Sequence, residues 1–372
     1  MDQKGRTALL LEAMETAGLD TLIGLSSGAH HVDFGDAVAL LTGVKPMPPS
    51  FAILNKNGDS ALYLSPSWDR TRADIFSFIN TIEMTDDIAG SFEKVFKRGN
   101  PPADRIGVAD LAKMPHRLAK GFVEALGGTP KNSTTLLFEA AAQKTDQELD
   151  NAKGATEIAE RTYKYMLEIA EPGMKECYLA AELKNYSRSL GADDNFMMFH
   201  AEGHPLAVQP SGERKLEKGD LILAEITPSF HGQFAQICRT ACLGEPTDQQ
   251  VEKYDLVVRA MMNGINRGKP GVLMKEICLG VDEVLCDNGY AEYCAPPYMN
   301  RRGHGLGVSS TEPGNVSLKN ETILNDGMFF VVHPNQYIPE VGYLLCGEPI
   351  VIRDPVPDIL TEDRAVLGTI DI

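Results

Sequence analysis

The chain has 372 residues, of which 43% are hydrophobic and 23% are charged, and its formal net charge is −17. This composition is typical of a globular protein with two domains or one large one, and the negative charge argues against nucleic acid and anionic membrane surfaces as main partners. The sequence shows no N-terminal apolar segment and no apolar run of about 18 residues, so we expect a cytoplasmic protein that does not contact a membrane.

Residues 1–143 alternate between helical and strand patterns, which predicts an α/β domain of ordinary size. The patterns predict helices at Arg6–Ala17, Ser67–Phe78, Ala89–Lys97 and Arg117–Leu126, and strands at Thr21–Leu25, Phe51–Leu54, Ala61–Leu64 and Arg105–Val108. An Asn-Gly-Asp turn at 57–59 joins the second and third strands into a hairpin. This part has no recognisable catalytic cluster, and we interpret its isolated histidines, His30, His31 and His116, as surface or capping residues.

A long helix is predicted to begin just after residue 144. Thr145 and Glu148 form a capping box, in which the Thr145 hydroxyl can accept from one free amide and Glu148 can reach back to another. Apolar residues then recur at helical spacing as far as Ile169, and Pro172-Gly173 ends the helix. We therefore place the boundary between two domains, 1–143 and 144–372, at this point.

The second domain contains two similar halves. Each half has a helix that opens after a Pro-Gly pair, a Gly-His turn, and an apolar strand with a polar residue six positions past its first glycine. The first half supplies His204 and Glu225, and the second half supplies His304 and His333. A pseudo-twofold domain of this kind would place these four side chains around one central cleft.

Glu225 is unusual because it lies inside an apolar run, Leu221–Ile226, that predicts a buried strand. An acidic side chain in a buried strand is costly unless it is paired, hydrogen-bonded or metal-bound. Gln236 follows on the returning strand, so the two polar side chains would form the floor of a pocket. The alternative is a hydrogen-bonded polar pair without chemistry.

Several motifs, taken with their order and spacing, resemble the creatinase/prolidase/methionine aminopeptidase superfamily. They are Pro172-Gly-Met-x-Glu176, Arg214-x-Leu-x-x-Gly-Asp220, Ile237-x-Arg-Thr240, Gly303-His-Gly-Leu-Gly307 and Gly327-Met-Phe329. The resemblance implies an α+β chain in which a pita-bread catalytic domain with a pseudo-twofold repeat follows a smaller α/β creatinase-like domain. It also implies a homodimer in which the small domain of one chain reaches over the cleft of the other, where residues 45–49 or 68–70 would touch substrate.

Metal-using members of this superfamily bind two divalent ions with two aspartates, one histidine and two glutamates. The resemblance carries the aspartate positions onto Glu225 and Gln236, the histidine onto His304 and the first glutamate onto His333, while the second glutamate falls within Cys346–Gly347–Glu348. Neutral Gln236 is a poor bridge between two hard cations, so we expect no metal cofactor. The alternative is a single divalent ion on Glu225, His304, His333 and Glu348.

Creatinase-like members cleave a C–N bond without metal, and the resemblance implies a metal-independent hydrolase that acts on a small polar or charged compound. We predict that Glu225 or Glu348 activates water or grips a substrate nitrogen, and that His304 or His333 carries the proton. The predicted substrate-binding residues are His204, Gln236, Thr311 and Glu312.

Three other functions stay open. They are a lyase acting on a small charged substrate, an Xaa-Pro aminopeptidase or prolidase with an atypical metal site, and a non-catalytic binding protein of the same fold. Metal analysis, with activity measured before and after chelation, would separate the metal-dependent possibility from the others. The sequence does not identify the substrate.

Overall fold

The computed structural model describes residues 3–29, 32, 35–96 and 101–372. The chain divides between Glu148 and Leu149 into two compact units, called unit 1 and unit 2 below. His30 and His31, for which we predicted surface or capping roles, lie outside the described residues. No helix in the described ranges is both long enough and apolar enough to span a bilayer.

Unit 1 is an α/β unit with a six-stranded sheet. Its helices are α1 (Gln3–Thr16), α2 (Ala37–Thr42), α3 (Arg70–Phe76), α4 (Ile88–Phe96), α5 (His116–Leu126) and α6 (Thr134–Ala142), and its strands are β1 (Thr21–Ser26), β2 (Ser50–Asn55), β3 (Ser60–Leu64), β4 (Thr81–Met84), β5 (Ile106–Ala109) and β6 (Lys131–Asn132). The strand order is β4-β3-β2-β1-β5-β6. The predicted hairpin is confirmed, because β2 and β3 pair antiparallel across the turn at 57–59.

The helix predicted over Ser67–Phe78 is shorter than expected. A 3-10 turn over Ser67–Asp69 precedes α3, and α3 ends at Phe76. The backbone amide of Phe78 donates to the carbonyl of Thr42 at 3.0 Å. The chain therefore leaves the helix because a tertiary backbone hydrogen bond replaces the next helical one.

Aromatic side chains form the centre of one core of unit 1. Phe51 on β2, Phe92 on α4 and Phe122 on α5 are buried, and the ring centroids are 5.0 Å apart for Phe51–Phe92 and 4.3 Å apart for Phe92–Phe122. Burying each ring stabilises the fold by about 1.5–3 kcal/mol, and this burial holds α4 and α5 against the sheet.

The start of the long helix α7 (Asp146–Ile169) has the predicted capping box. The Thr145 amide donates to Glu148 Oε2 at 2.8 Å, and the Glu148 amide donates to Thr145 Oγ1 at 3.3 Å. Arg6 joins this cap, since its Nε donates to Glu148 Oε1 at 3.1 Å and both side chains are buried. The guanidinium compensates the charge of Glu148, which would otherwise be costly to bury.

Unit 2 has the two halves that the sequence predicts. Its further helices are α8 (Glu176–Ser189), α9 (Asp248–Arg267) and α10 (Lys275–Asp287), and its strands are β7 (Asp194–Glu202), β8 (Leu221–Phe230), β9 (Gln233–Phe234), β10 (Ile237–Leu243), β11 (Gly303–Gly305), β12 (Phe329–Val332), β13 (Gln336–Ile338), β14 (Gly342–Leu344), β15 (Glu348–Val351), β16 (Asp358–Ile359) and β17 (Gly368–Ile370). The first half forms the sheet β17-β10-β8-β7 with β9 beside β8, and the second forms β11-β12-β15-β16.

The two sheets of unit 2 meet at Cys238 and Gly347. The amide of Gly347 donates to the carbonyl of Cys238 at 3.0 Å, and the amide of Cys238 donates to the carbonyl of Gly347 at 3.2 Å. This pair links β10 of the first half to the residue before β15 of the second half. Two of the side chains that the sequence singles out lie at this junction, since Glu225 is opposite Cys238 and His333 is beside Gly347.

Candidate active site

Strand register places the central side chains of the junction on one face. Cys238 lies opposite Glu225 in the antiparallel pair β8–β10, and Cys238 also lies opposite Gly347 across the junction. His304 lies opposite Val331, two residues before His333. Because directly opposite residues share a face and side chains alternate along a strand, these residues form a common surface. We call it the site face: Glu225, Gln236, Cys238, His304, His333 and Gly347.

Glu225 and Gln236 are in direct contact, which agrees both with the predicted pocket floor and with the alternative of a hydrogen-bonded polar pair. Gln236 Nε2 donates to Glu225 Oε1 at 2.8 Å, and Cys238 Sγ lies 3.7 Å from the same oxygen. The Glu225 side chain is only partly accessible, and burial raises the pKa of its carboxyl group. A carboxyl group with a raised pKa can accept and release a proton closer to neutral pH than an exposed one.

His304 and His333 form a close imidazole pair. Their ring centroids are 5.1 Å apart, and the ring planes are inclined at 67°. His304 Nδ1 lies 3.0 Å from the carbonyl of Gly305, a contact that assigns the proton to Nδ1 and leaves Nε2 with a free lone pair. Within the described structure, neither ring nitrogen of buried His333 has a hydrogen-bond partner.

Both imidazoles are neutral at neutral pH. Burial lowers the pKa of His304 to about 4. Burial lowers the pKa of His333 well below its usual range, and the neighbouring His304 and Arg301 add to this effect. A neutral imidazole has the lone pair that a metal ion or a proton requires.

Glu348, which we predicted to be catalytic, does not lie on the site face. It lies opposite Val332 in the pair β12–β15, so it points away from His333. Its side chain is fully buried, and its oxygens accept from Arg239 Nη2 at 3.2 Å, Thr361 Oγ1 at 2.7 Å and the Ala365 amide at 2.8 Å. These contacts occupy the carboxylate, which is closed to solvent.

The other predicted substrate-binding residues, His204, Thr311 and Glu312, differ in their exposure and in their contacts. His204 is exposed, and its Nε2 lies 3.5 Å from the hydroxyl of Tyr337. Glu312 is buried rather than solvated, and its Oε1 accepts from the Val308 amide at 2.7 Å. A backbone bridge between Gly305 and Glu312 brings partly exposed Thr311 beside the loop that follows His304.

The structure also identifies site residues that the sequence reasoning missed. Cys238 faces Glu225, and its position two residues after Gln236 on a strand was the available signal. Of residues 346–348, Gly347 is the one that lies on the site face, because Glu348 points to the opposite face and Cys346 Sγ contacts Met261 Sδ at 3.5 Å. The last strand therefore contributes no carboxylate to the site face.

Replacing Gly347 with alanine should destabilise the protein by about 1–3 kcal/mol. An added Cβ would lie 2.7 Å from His333 Cβ and 2.9 Å from Cys238 Cβ, so the junction would have to open. Denaturant unfolding would measure the change. Gly203→Ala is the control, since a Cβ there meets nothing within 4 Å. An unchanged unfolding midpoint for Gly347→Ala would contradict the packing described here.

The residues at the predicted ligand positions do not fit two hard ions, but the imidazole pair could supply two ligands to one softer ion. Gln236 is neutral and its amide nitrogen is engaged by Glu225, and Gly347 has no side chain. Two neutral imidazoles, one with unpartnered ring nitrogens, suit a borderline ion such as zinc or ferrous iron. Across the part of the chain that the structure describes, no three histidine, cysteine or carboxylate side chains are placed together as a ligand set. The site face therefore offers two ligands for such an ion.

Comparison with known proteins places the chain among peptidases. Residues 150–356, more than half of the chain, match the model of metallopeptidase family M24. The chain is 32% identical over 214 residues to the uncharacterized peptidase YqhT of Bacillus subtilis, a match that covers 57% of this chain and 60% of that protein. It is 28% identical over 228 residues to the Xaa-Pro dipeptidase of Pyrococcus furiosus, which covers 60% of this chain and 64% of that protein. The chain thus spans about three fifths of the length of these curated relatives.

A solved structure gives the same fold over nearly the whole chain. The prolidase from Pyrococcus horikoshii OT3 matches with a TM-score of 0.82 at 22% sequence identity, and the match covers 96% of this chain and 99% of that one. The predicted superfamily is confirmed, and so is the predicted fold, in which a pita-bread domain follows a smaller N-terminal domain along the chain. The prediction of an enzyme that cleaves C–N bonds agrees with this family, which is a family of peptidases.

The prediction of a metal-independent, creatinase-like hydrolase is wrong, and so is the expectation of no metal cofactor. The matching family is one of metallopeptidases, and the curated relatives include Xaa-Pro dipeptidases. The error came from the interpretation of Gln236. The loss of a bridging carboxylate weakens the binding of a second ion, but it does not exclude the binding of one ion. The chain belongs to metallopeptidase family M24.

Proposed function

We propose that the chain is a peptidase that hydrolyses the bond between an amino acid and proline in small peptides, with an atypical metal site. The observation that carries this proposal is the close pair of buried imidazoles, His304 and His333, in a chain of family M24. The resemblance places metal ligands at both positions. The preference for proline comes from the names of the curated relatives, Xaa-Pro dipeptidases of two Pyrococcus species.

His304 and His333 would hold the ion, which when bound supplies a Lewis acid that polarises the scissile carbonyl. Glu225 takes the proton of the attacking water, and its raised pKa suits this exchange. The water oxygen bonds to the carbonyl carbon, the C–N bond breaks, and the proton passes from Glu225 to the departing nitrogen. Gln236 orients the carboxyl group by donating to its Oε1 at 2.8 Å.

Metal analysis combined with peptide hydrolysis tests this proposal. The purified protein would be assayed on Ala-Pro and Ala-Ala, then after chelation, and then after addition of zinc, ferrous, manganese or cobalt ions. We expect Ala-Pro to be cleaved faster than Ala-Ala, activity to disappear with chelator, and one equivalent of ion per chain to restore it. Absence of Ala-Pro cleavage under every metal condition would overturn the proposed substrate, and two bound equivalents would overturn the single-ion site.

Homodimeric assembly and a cytoplasmic location remain predictions of the sequence. The dimer is supported by the resemblance to creatinase-like proteins, and sedimentation of the purified protein would test it. No observation on the described residues favours a lyase or a non-catalytic binding protein over a peptidase.

A further inference from the structure

Four aromatic rings form an exposed cluster in unit 2. We call it the aromatic rim: His204, Tyr293, Tyr298 and Tyr337. Tyr298 and Tyr337 are nearly parallel, with ring planes inclined at 13° and centroids 6.0 Å apart. Tyr293 contacts both, with centroids 4.9 Å from Tyr298 and 5.6 Å from Tyr337, and the His204 ring meets Tyr337 edge-on at 6.1 Å.

The rim is accessible, although aromatic side chains are usually buried. Tyr298 is 45% exposed and His204 is exposed, while Tyr293 and Tyr337 are partly exposed. Leu206, two residues after His204, is 67% exposed. Adjacent exposed apolar groups mark a binding surface more often than scattered ones do.

The hairpin β13–β14 connects the rim to the site face. Tyr337 lies directly opposite Tyr343 in this hairpin, so the two rings share a face. Tyr343 packs against the buried cluster that contains Leu223 and Cys238, next to Glu225. Burial raises the pKa of Tyr343, and the charge of Glu225 raises it further, which agrees with this proximity.

Backbone contacts join two parts of the rim, the β13–β14 hairpin and the segment that follows His204. The Tyr343 amide donates to the carbonyl of Pro205 at 2.6 Å, which ties the hairpin to the residue after His204. A Cβ at Gly342 would lie 2.8 Å from the same Pro205 carbonyl, so this contact requires glycine. The hairpin that carries Tyr337 is therefore fixed beside His204.

We propose that the aromatic rim is a subsite for a bulky aromatic side chain of the substrate, so that peptides carrying one are preferred over those carrying alanine. The proposal rests on the proposed peptidase function. It follows from the continuity of the rings. Tyr343 packs against the cluster that contains Cys238, which lies opposite Glu225. Tyr337 shares the face of Tyr343, and Tyr298 lies nearly parallel to Tyr337. A ligand ring can add to such an array by offset stacking or edge-to-face contact.

Kinetics on two dipeptides test the subsite. We expect the wild-type enzyme to cleave Phe-Pro with a higher kcat/KM than Ala-Pro. Tyr298→Ala should lower the Phe-Pro to Ala-Pro ratio about 2- to 10-fold, since it removes one ring contact. Tyr337→Phe should retain the ratio because it keeps the ring and loses only the hydroxyl near His204. Tyr178→Ala, at an exposed tyrosine on α8, is the matched control.

A binding measurement separates failure of the subsite from failure of the peptidase proposal. Calorimetry would compare phenylalaninamide and alaninamide binding to the wild-type protein and to Tyr298→Ala. If Tyr298→Ala binds phenylalaninamide more weakly than the wild type does, and binds alaninamide equally well, the subsite is supported even if no Xaa-Pro peptide is cleaved. Equal binding by both proteins, or no binding by the wild type, overturns it whatever the peptidase result.

Sedimentation of the same variants tests whether the rim instead binds a second copy of the chain. If Tyr298→Ala dissociates an oligomer while the Phe-Pro to Ala-Pro ratio stays at the wild-type value, the rim is a subunit interface and the proposal is overturned. If the oligomeric state is unchanged and the ratio falls, the subsite is supported.

Discussion

Replacing His304 with alanine should lower kcat/KM for an Xaa-Pro dipeptide by about 10²–10⁴. His304 is one of the two imidazoles on the site face, and its Nδ1 contact with the Gly305 carbonyl at 3.0 Å leaves Nε2 as its free donor atom. Its removal would leave His333, with two unpartnered nitrogens in the described structure, as the only imidazole of the pair. Steady-state kinetics and bound-metal analysis on the same sample would measure both losses.

A double-mutant comparison makes this prediction sharper. If His304 and His333 act together on one ion, His333→Ala should cost a similar factor, and the double variant should be little worse than either single one. His116→Ala, at an exposed histidine that begins α5, should leave the rate unchanged. Losses that multiply in the double variant, or full activity in His304→Ala, would contradict a shared role for the pair.

The sequence predicts the imidazole pair and the Glu225–Gln236 contact for a physical reason. A polar residue inside an apolar strand must find a partner, and Gln236 donates to Glu225 at 2.8 Å. The internal repeat predicts that His304 and His333, both in the second half, face one cleft. Their ring contact follows from the pairing of β11 with β12, which places His304 opposite Val331, two residues before His333. The Glu225–Gln236 contact could therefore be inferred from local pattern, whereas the imidazole contact depends on strand register.

Glu348 could not be placed in this way because side chains alternate between the two faces of a strand. A shift of one residue moves a side chain to the opposite face, and the motif left the position open between 346 and 348. The register that decides the matter comes from Val332 opposite Glu348 and Cys238 opposite Gly347, which are contacts between strands far apart in sequence. Single-sequence patterns do not contain these pairings.

The fold shows the same limit. Element types in unit 1 follow from periodicity, and the local β2–β3 hairpin follows from its turn. The order β4-β3-β2-β1-β5-β6 includes parallel pairs such as β1–β5, whose strands are separated by helices and by other strands. The early end of α3 likewise depends on a long-range hydrogen bond from Phe78 to Thr42.

The second large effect is expected at Arg239, which fixes the junction from the face opposite the site. Its Nη1 donates to the carbonyl of Gly347 at 2.7 Å and to that of Cys238 at 3.0 Å, and its Nη2 lies 3.1 Å from Glu348 Oε1. Both members of the ion pair are nearly inaccessible to solvent. Arg239→Met should destabilise the protein by about 3–5 kcal/mol, because it leaves the Glu348 carboxylate buried without its cation.

Urea unfolding would measure this loss against two matched variants. Arg353→Met removes a cation from a more exposed pair with Asp326, so it should cost no more than about 1 kcal/mol. Arg239→Met combined with Glu348→Met removes both buried charges, and it should recover part of the stability lost in Arg239→Met alone. Equal unfolding midpoints for Arg239→Met and Arg353→Met would show that the buried pair does not hold the junction. Recovery in the double variant without recovery of peptidase activity would show that Arg239 also sets the backbone positions of Cys238 and Gly347, through the carbonyl contacts that methionine cannot make.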